Sequence, residues 1–316
     1  MGEVEPKLYW SCRTASGGWT TAQVLNDPQI DPAASGPAAS FRWENGANYV
    51  YVLWRGAIGN RLQYRRIDLG SMTVGPPAHM TQAGVALQTC DTPSVAPIFE
   101  SNAFDRLMVV YHPVVSGICR DRWFYATHLD NPDPPEDLGF AVSFAVDSEI
   151  EPSLVGYPYW NRVYLFRADD DITATAGHLR YLSYTLADGW STMTDLTALY
   201  DAAPLVIDGI VRTEQGISLA EQGGTPLAGD SRLWVTWLTT GDETSGQREM
   251  WMTTLREDPA TPGTLVTDGL RPAPIEPLSP STHMATGGLA PAASGHPLVH
   301  VWGPNVKIQE QLFYGE

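Results

Sequence analysis

The sequence predicts an all-β protein folded as a β-propeller, and three observations support this fold class. Its 25 prolines and 29 glycines are spread along the whole chain, as many short strands joined by turns require. A run of three strand types recurs five times. No stretch has a helical pattern longer than a turn or two. We therefore expect one domain, residues 1–316, because propellers of this size often fold as a single unit.

The clearest repeated element, here called strand B, is a short apolar alternation that ends in an aromatic or polar residue. Its residues are mostly β-branched or aromatic and lie between turn formers, which is typical of a buried strand. The five copies are YVYVLWRG (49–56), RLMVVYHP (106–113), RVYLFRAD (162–169), RLWVTWLT (232–239) and PLVHVWGP (297–304).

Strand A precedes each strand B and consists of a small residue followed by an apolar one. Small residues suit the innermost strand of a blade, where neighbouring blades crowd around the axis. The copies are Ser40-Phe41, Ser94-Val95, Ser153-Leu154, Ser218-Leu219 and Gly288-Leu289.

Strand C follows each strand B, and an outer strand D follows two of the C copies. Residues 8–25 align without gaps on residues 179–196, which counts against a β-sandwich of loosely similar strands. The copies of strand C are residues 61–67, 122–129, 178–186, 248–255 and 310–316, with a sixth at 7–14.

This order predicts four-stranded blades arranged around an axis, because one such unit cannot bury both of its faces alone. The chain begins with a C–D pair and ends with an A–B–C run, so strands from the two termini are expected to close one blade. Five A–B pairs predict five blades. The six copies of strand C leave six blades as the alternative.

The composition excludes several classes of partner. The formal net charge is −17, which repels nucleic acid phosphates and anionic membranes and favours solubility. No stretch approaches the apolar length of a membrane helix. The first residues, MGEVEPKLYW, lack the features of a signal peptide, so we expect a cytoplasmic protein, or an exported one whose leader is not part of this sequence.

The three cysteines, Cys12, Cys90 and Cys119, are too few and too odd in number for a disulfide framework. One bridge is compatible with this count, but the sequence favours three buried thiols.

Propeller geometry indicates where a ligand would bind, since the loops before strand A and between strands B and C open on the same face. Three acids come at or near the starts of A strands, namely Asp91, Glu151 and Glu214. The ends of the B strands supply Trp54, Arg55, Tyr111, His112, Arg167, Asp169, Trp237 and Trp302. Carboxylates, cations and flat rings together suit a sugar.

Structural roles compete with this interpretation. The aromatic residues could pack between blades, the arginines could pair with nearby acids, and Asp91 and Glu151 could cap turns before the prolines that follow them. The run 169–171 lacks the spacing and glycine of a calcium loop, so we interpret it as a solvated turn. The histidines are scattered and no nucleotide or hydrolase motif is present, so we predict neither cofactor nor metal.

Two resemblances to known families follow from these residues. The string YVYVLWRGAIGNRLQYRRIDLG resembles a blade of the sialidase-like and lectin-like bacterial propellers. The endings DGWST (188–192) and GGWTT (17–21) resemble a degraded sialidase Asp-box, S-x-D-x-G-x-x-W, which is a structural turn in that family. This resemblance therefore implies the fold and carries no catalytic residue.

Residues 91–111 and 151–166 resemble the "DPSV…G-x-Y-Y-L" segments of five-bladed furanosidase-type glycoside hydrolases. In that family acids at the mouths of inner strands do the chemistry, which implies Asp91, Glu151 and Glu214 here. The match is incomplete, because Thr92 separates Asp91 from its proline and the first strand A has only Asp31, several residues upstream.

The sequence favours a lectin-like, carbohydrate-binding propeller with one main ligand site. The B-strand endings WRG, YHP, RAD, WLT and WGP differ from one another, which favours one central site over five equivalent ones. A glycoside hydrolase is the first alternative, and a lyase or cyclase on the same scaffold remains open. A protein-interaction platform is a further alternative, and the sequence leaves homo-oligomers open.

Overall fold

The structure is a computed structural model, and its described part consists of β-strands and turns. No helix occurs among the described residues, and so none that could span a bilayer. Backbone contacts divide the chain into two compact units, Met1–Phe144 and Ala145–Glu316. The expectation of a single domain stays a prediction. The described residues are 7–11, 20–44, 46–82, 84–100, 103–119, 123–129, 136–143, 152–157, 161–169, 178–196, 217–222, 232–238, 248–267, 273–278, 283–287, 297–303 and 309–314.

The first unit contains a short N-terminal strand pair, two larger antiparallel sheets and two small hairpins. The N-terminal pair is β1 (Tyr9–Trp10) with β2 (Gln23–Val24). The first sheet contains β3 (Ala38–Glu44), β4 (Ala47–Arg55), β5 (Leu62–Asp68), β6 (Thr73–Val74) and β7 (Ala78–His79). A hairpin of β8 (Thr81–Gln82) and β9 (Val85–Ala86) follows. The second sheet contains β10 (Ser94–Glu100), β11 (Ala103–Tyr111), β14 (Trp123–Leu129) and β15 (Glu136–Ser143), with the hairpin β12 (Val114–Val115) and β13 (Ile118–Cys119) inserted.

The second unit contains three further antiparallel sheets. The third sheet contains β16 (Ser153–Tyr157), β17 (Arg162–Asp169), β18 (His178–Thr185), β19 (Gly189–Trp190) and β20 (Thr194–Asp195). The fourth contains β21 (Ser218–Gln222), β22 (Arg232–Leu238), β23 (Arg248–Glu257), β24 (Leu265–Thr267) and β25 (Ala273–Leu278). The fifth contains β26 (His283–Gly287), β27 (Pro297–Gly303) and β28 (Gln309–Tyr314).

Each of the five sheets begins with the predicted A–B–C order of antiparallel neighbours. Strand B of the third copy, predicted at 162–169, coincides with β17. In the first, third and fourth sheets, strand D is divided into two segments that pair with the same strand C. In the fifth sheet, strand A is β26, where Ala285 pairs with Val301 as Ser94 pairs with Val110. The predicted Gly288-Leu289 therefore comes too late, and these two residues lie outside the described part of the chain.

The register corrects the alignment of the first strand A. Ser94 pairs with Val110 in the second sheet, and Ala38 pairs with Leu53 in the first. The N–H of Cys90 donates to the carbonyl of His112 at 2.8 Å, as that of Ala34 donates to Arg55 at 2.8 Å. Ala38 is therefore the equivalent of Ser94, and the predicted Ser40 lies two residues too late.

Strand β4 buries both of its faces, because its side chains alternate across the sheet. Tyr51 and Leu53 pack in one apolar cluster with residues of β11 in the second sheet. Val52 and Trp54 pack in another, which includes the N-terminal Leu25. Burying a large apolar side chain contributes about 1.5–3 kcal/mol, so both neighbours stabilise this strand. The N-terminal strand pair thus covers one face of the first sheet.

In the second unit, an apolar cluster joins the third and fourth sheets. Phe166 and Tyr181 stack with ring centroids 5.7 Å apart, and both belong to a cluster that contains Val235 and Trp237. The N–H of Leu265 donates to the Tyr181 hydroxyl at 2.9 Å. Apolar packing and a buried hydrogen bond therefore both connect these two sheets.

Candidate functional site

The start of strand A and the end of strand B bring Asp91 and His112 together in the second sheet. Nδ1 of His112 lies 2.7 Å from Oδ2 of Asp91. The Asp91 side chain is 50% exposed and that of His112 only 12%. An ionised carboxylate only accepts hydrogen bonds, so Nδ1 carries the proton that it donates. The carboxylate is therefore exposed to solvent, and its hydrogen bond to the largely buried imidazole fixes its position.

Arg55, at the end of strand B in the first sheet, reaches the same place. Its Nη1 donates to the carbonyl of Cys90, the residue before Asp91. Its Nη2 donates to the carbonyl of Ala34 at 3.1 Å. We call Arg55, Asp91 and His112 the Asp91 cluster. It joins three residues that the sequence had assigned to a ligand site.

Ser35 takes the place of Asp91 in the first sheet, because Ala34 is the equivalent of Cys90. Its hydroxyl accepts the backbone N–H of Arg55 at 3.1 Å. The upstream acid, Asp31, is buried and engaged with Arg65, whose Nε lies 2.7 Å from its Oδ2. Its Oδ1 accepts a second Arg65 bond at 2.9 Å and the N–H of Asp27. Asp31 thus fixes a loop and is not available to a ligand.

Cys90 forms a disulfide, so the expectation of three buried thiols is wrong for this residue. Its N–H donates to the carbonyl of His112, and its own carbonyl accepts Arg55. Cys90 is also 5% exposed. The sequence pattern predicts no role for Cys90 at the site, although its position directly before Asp91 is consistent with one.

Four predicted ligand residues occupy one equivalent position near the end of strand B, and all four are buried. Their exposed fractions are 0% for Trp54, 5% for Tyr111, 2% for Arg167 and 2% for Trp237. The three aromatic residues belong to the apolar clusters between neighbouring strands and sheets. The packing alternative accounts for these aromatics, and their ligand role stays a prediction.

The remaining predicted residues are described incompletely or not at all. The backbone of Asp169 pairs with His178, and that of Trp302 pairs with Met284. Glu151 and Glu214 lie outside the described residues. Asp91 comes three residues before the aligned Ser94, whereas Glu151 comes two before Ser153 and Glu214 four before Ser218. The three acids therefore do not share one repeat position.

Within the described residues, no three His, Cys, Asp or Glu side chains are grouped as metal ligands would be. The Asp91 cluster offers one exposed carboxylate, a supporting imidazole and a neighbouring guanidinium. Such groups can accept and donate the hydrogen bonds of hydroxyl groups, and the carboxylate can take up a proton.

Comparison with solved structures shows the fold. The α-L-arabinofuranosidase of family GH93 from Fusarium graminearum, in complex with arabinobiose, matches with a TM-score of 0.51 at 12% identity, over 87% of this chain and 77% of that one. The α-L-arabinanase of Penicillium chrysogenum, also with arabinobiose, matches with a TM-score of 0.53 at 10% identity, over 91% and 82%. A polysaccharide lyase of family PL25, an ulvan lyase, matches with a TM-score of 0.51 at 12% identity, over 94% and 68%.

The fold is a β-propeller. The two arabinan-related structures agree with the furanosidase-type resemblance of residues 91–111 and 151–166. Identities this low show the fold alone. No protein-family model matches the chain, and neither does any curated protein sequence.

Proposed function

We propose that this protein is a glycoside hydrolase that acts on a neutral, furanose-containing polysaccharide, with Asp91 as a catalytic carboxylate. The observation that carries the proposal is the exposed Asp91 carboxylate, held at 2.7 Å by a largely buried imidazole. The similarity to an arabinofuranosidase and an arabinanase, each solved with arabinobiose, supports the substrate class.

His112 acts in this proposal as a positioning residue. Its Nδ1–H donates to Oδ2 of Asp91 and leaves the other carboxylate oxygen free of this bond. An ionised carboxylate in this setting serves as general base toward water or as nucleophile toward the anomeric carbon. Arg55 fixes the backbone from which Asp91 projects, because it binds the carbonyl of Cys90.

A glycoside hydrolase of this kind needs a second carboxyl group, which protonates the leaving oxygen. Our candidates are Glu151 and Glu214. Each precedes the start of a strand A, and the two strand starts are joined where the Ser153 hydroxyl donates to the carbonyl of Ile217. Separate substitution of each glutamate by glutamine distinguishes which of them is the acid.

The charge of the chain supports a neutral substrate over a polyanionic one. With a formal net charge of −17, the protein repels a polymer that carries many carboxylates or sulfates. Neutral pentose polymers approach without this penalty and present hydroxyl groups that match the Asp91 cluster. A lectin-like protein with the same site would bind such a polymer without cleaving it.

The test compares Asp91→Asn with Asp188→Asn, a matched control in an exposed turn of the third sheet. We expect the wild type to release reducing sugar from linear arabinan. Asp91→Asn should lose about 10²–10⁴-fold in kcat with an unchanged melting temperature, because the amide can neither take up a proton from water nor attack the anomeric carbon. The control should keep the wild-type rate.

Three results would overturn the proposal in different ways. A fully active Asp91→Asn variant removes Asp91 from the chemistry. Binding of arabinan by the wild type without any cleavage replaces the hydrolase with the lectin-like alternative. Neither binding nor cleavage across a panel of neutral polysaccharides removes the carbohydrate function and leaves the interaction platform.

A further inference from the structure

We infer that Cys90 is bridged to Cys119, and that this bridge positions the Asp91 cluster. The pairing stands on the fold alone, whereas the positioning role in catalysis rests on the proposed function. The three cysteines leave two partners for Cys90, Cys12 and Cys119.

The first sheet separates Cys90 from the N-terminal strands. Leu8 and Trp10 pack on the face of the sheet that carries Trp54. Arg55 follows Trp54 in the same strand, so its side chain leaves from the opposite face, where it reaches Cys90. A disulfide requires Cα atoms within about 7 Å, which is less than the roughly 10 Å between packed sheets. Cys12 lies outside the described residues, but it comes only two positions after β1, which packs on the Trp54 face and not on the face where Arg55 reaches Cys90.

Cys119 lies in the hairpin that follows strand B of the second sheet, and Cys90 lies in the segment before strand A of the same sheet. Cys119 pairs with Val114 in the hairpin of β12 and β13. The N–H of Val114 donates to the carbonyl of Gln88 at 3.0 Å, and Thr89 forms a bridge with Pro113. The segment before strand A and the hairpin after strand B therefore run side by side, and the bridge ties them together.

The bridge acts on the cluster through the backbone of Cys90. The N–H of this residue donates to the carbonyl of His112, and its carbonyl accepts a hydrogen bond from Arg55. Asp91 follows directly in the chain. Fixing Cys90 thus restricts the carboxylate and the imidazole together. Structural disulfides persist in oxidising compartments, so we also propose that the protein is exported.

The pairing is tested on the full chain by alkylation and digestion without reductant, followed by mass spectrometry. We expect one linked peptide pair that contains Cys90 and Cys119, with Cys12 alkylated. A link between Cys90 and Cys12, or alkylation of all three cysteines before reduction, overturns the inference.

The positioning role is tested with the double variant Cys90→Ser/Cys119→Ser and the matched control Cys12→Ser. Wild-type protein reduced by a phosphine provides a second measurement if the double variant does not fold. We expect the double variant to melt about 5–15 °C lower, and the control to melt like the wild type. Well below that temperature, amide exchange at residues 88–91, 112, 114 and 115 should be at least about tenfold faster than in the wild type.

Kinetics then separate positioning from general stability. On arabinan, kcat should fall about tenfold while KM stays within about twofold, because the substrate still binds but the carboxylate is less well placed. A lower melting temperature with unchanged exchange and unchanged kcat overturns the positioning role. Faster exchange in a protein whose wild type never cleaves arabinan retains the bridge as the element that orders the cluster and rejects only the proposed function.

Discussion

Individual residues near the ends of the B strands divide into two classes by their side of the sheet. Trp54, Tyr111 and Trp237 are buried in apolar clusters, and residues one position later, Arg55 and His112, make polar contacts around Asp91. Alternation along a strand explains the division, because consecutive side chains leave from opposite faces. The sequence predicts both classes at the site, because its pattern indicates where the strands end but not which face each side chain leaves from.

The acids show the same limit of sequence reasoning. Asp91 was found because it is acidic and comes just before a small-residue strand. The contact with His112 joins residues 21 positions apart, which only the register of β10 on β11 brings together. The sequence does not identify Ser35 as the equivalent of Asp91, because its pattern places the start of the first strand A two residues too late.

Glu257 provides a prediction at the scale of one residue. Burial raises the pKa of this carboxyl above 4.5, although the N–H of Gly263 and the Arg162 guanidinium, 2.9 Å away, act in the opposite direction. Folding therefore takes up a proton between the ordinary and the raised pKa. The stability that this uptake contributes is complete below about pH 4.5 and is lost as the pH rises through the raised pKa.

Glu257→Gln removes this titration, so its free energy of unfolding should lose that part of the pH dependence. Urea denaturation between pH 4 and 8 measures the free energy of unfolding of both proteins. As the pH rises, the wild type should lose stability relative to the variant. A difference that stays constant over this range contradicts the raised pKa. Arg162→Gln should steepen the decline, because it removes the cation that favours the ionised form.

At the scale of elements, the turn between β23 and β24 connects the third and fourth sheets. Gly263 in this turn has a φ of +89°, and an added Cβ would lie 2.9 Å from Oγ of Ser183 and 3.1 Å from Nη1 of Arg162. Gly189, the first residue of β19, has a φ of +71°, but open space surrounds its Cβ position. Both glycines would impose backbone strain on a replacement residue, but only Gly263 would also bring its Cβ into steric contact. Substituting each of them therefore distinguishes the two effects.

Gly189→Ala should cost about 1–2 kcal/mol, the usual penalty of a left-handed conformation with a Cβ. Gly263→Ala should cost at least about 1 kcal/mol more, because a neighbour must also move. Chemical denaturation measures both values. Equal decreases in the free energy of unfolding would show that Ser183 and Arg162 move away from the new methyl group without destabilising the protein.

Elements were predicted better than residues, because strand B carries its own signal. The alternation RVYLFRAD has a period of two and is bounded by turns, and it forms β17 at its predicted bounds. Strand A carries only a small residue and one apolar residue, which fit several registers. The split of strand D had no signal in most copies, although Pro76 and Pro77 in the first sheet are consistent with it.

At the scale of the whole molecule, repetition predicted the five sheets with A–B–C order. The way in which the two termini meet could not be predicted from the repeat, and ring closure stays a prediction. What the structure shows is that β1 and β2 pack on the first sheet, beside Val52 and Trp54.

Deletion of residues 1–25 provides the corresponding prediction. It removes Leu8, Trp10 and Leu25, and it exposes the Trp54 face of the first sheet. We expect the truncated protein to lose its cooperative thermal transition, because several large apolar side chains become solvated at about 1.5–3 kcal/mol each. Circular dichroism melts of both proteins test this. An unchanged cooperative melt would show that the N-terminal strands are dispensable.

The divided outer strands have a consequence for the behaviour of the protein at high concentration. A long, flat outer strand offers unpaired N–H and C=O groups to any other chain and so invites aggregation. In the first sheet, β6 pairs only at Ile67 and Asp68 and β7 only at Gln63 and Tyr64, with a Gly-Pro-Pro break between them. Each segment is too short to template a neighbour, so this margin of the first sheet resists the cross-β association to which strand-rich proteins are prone.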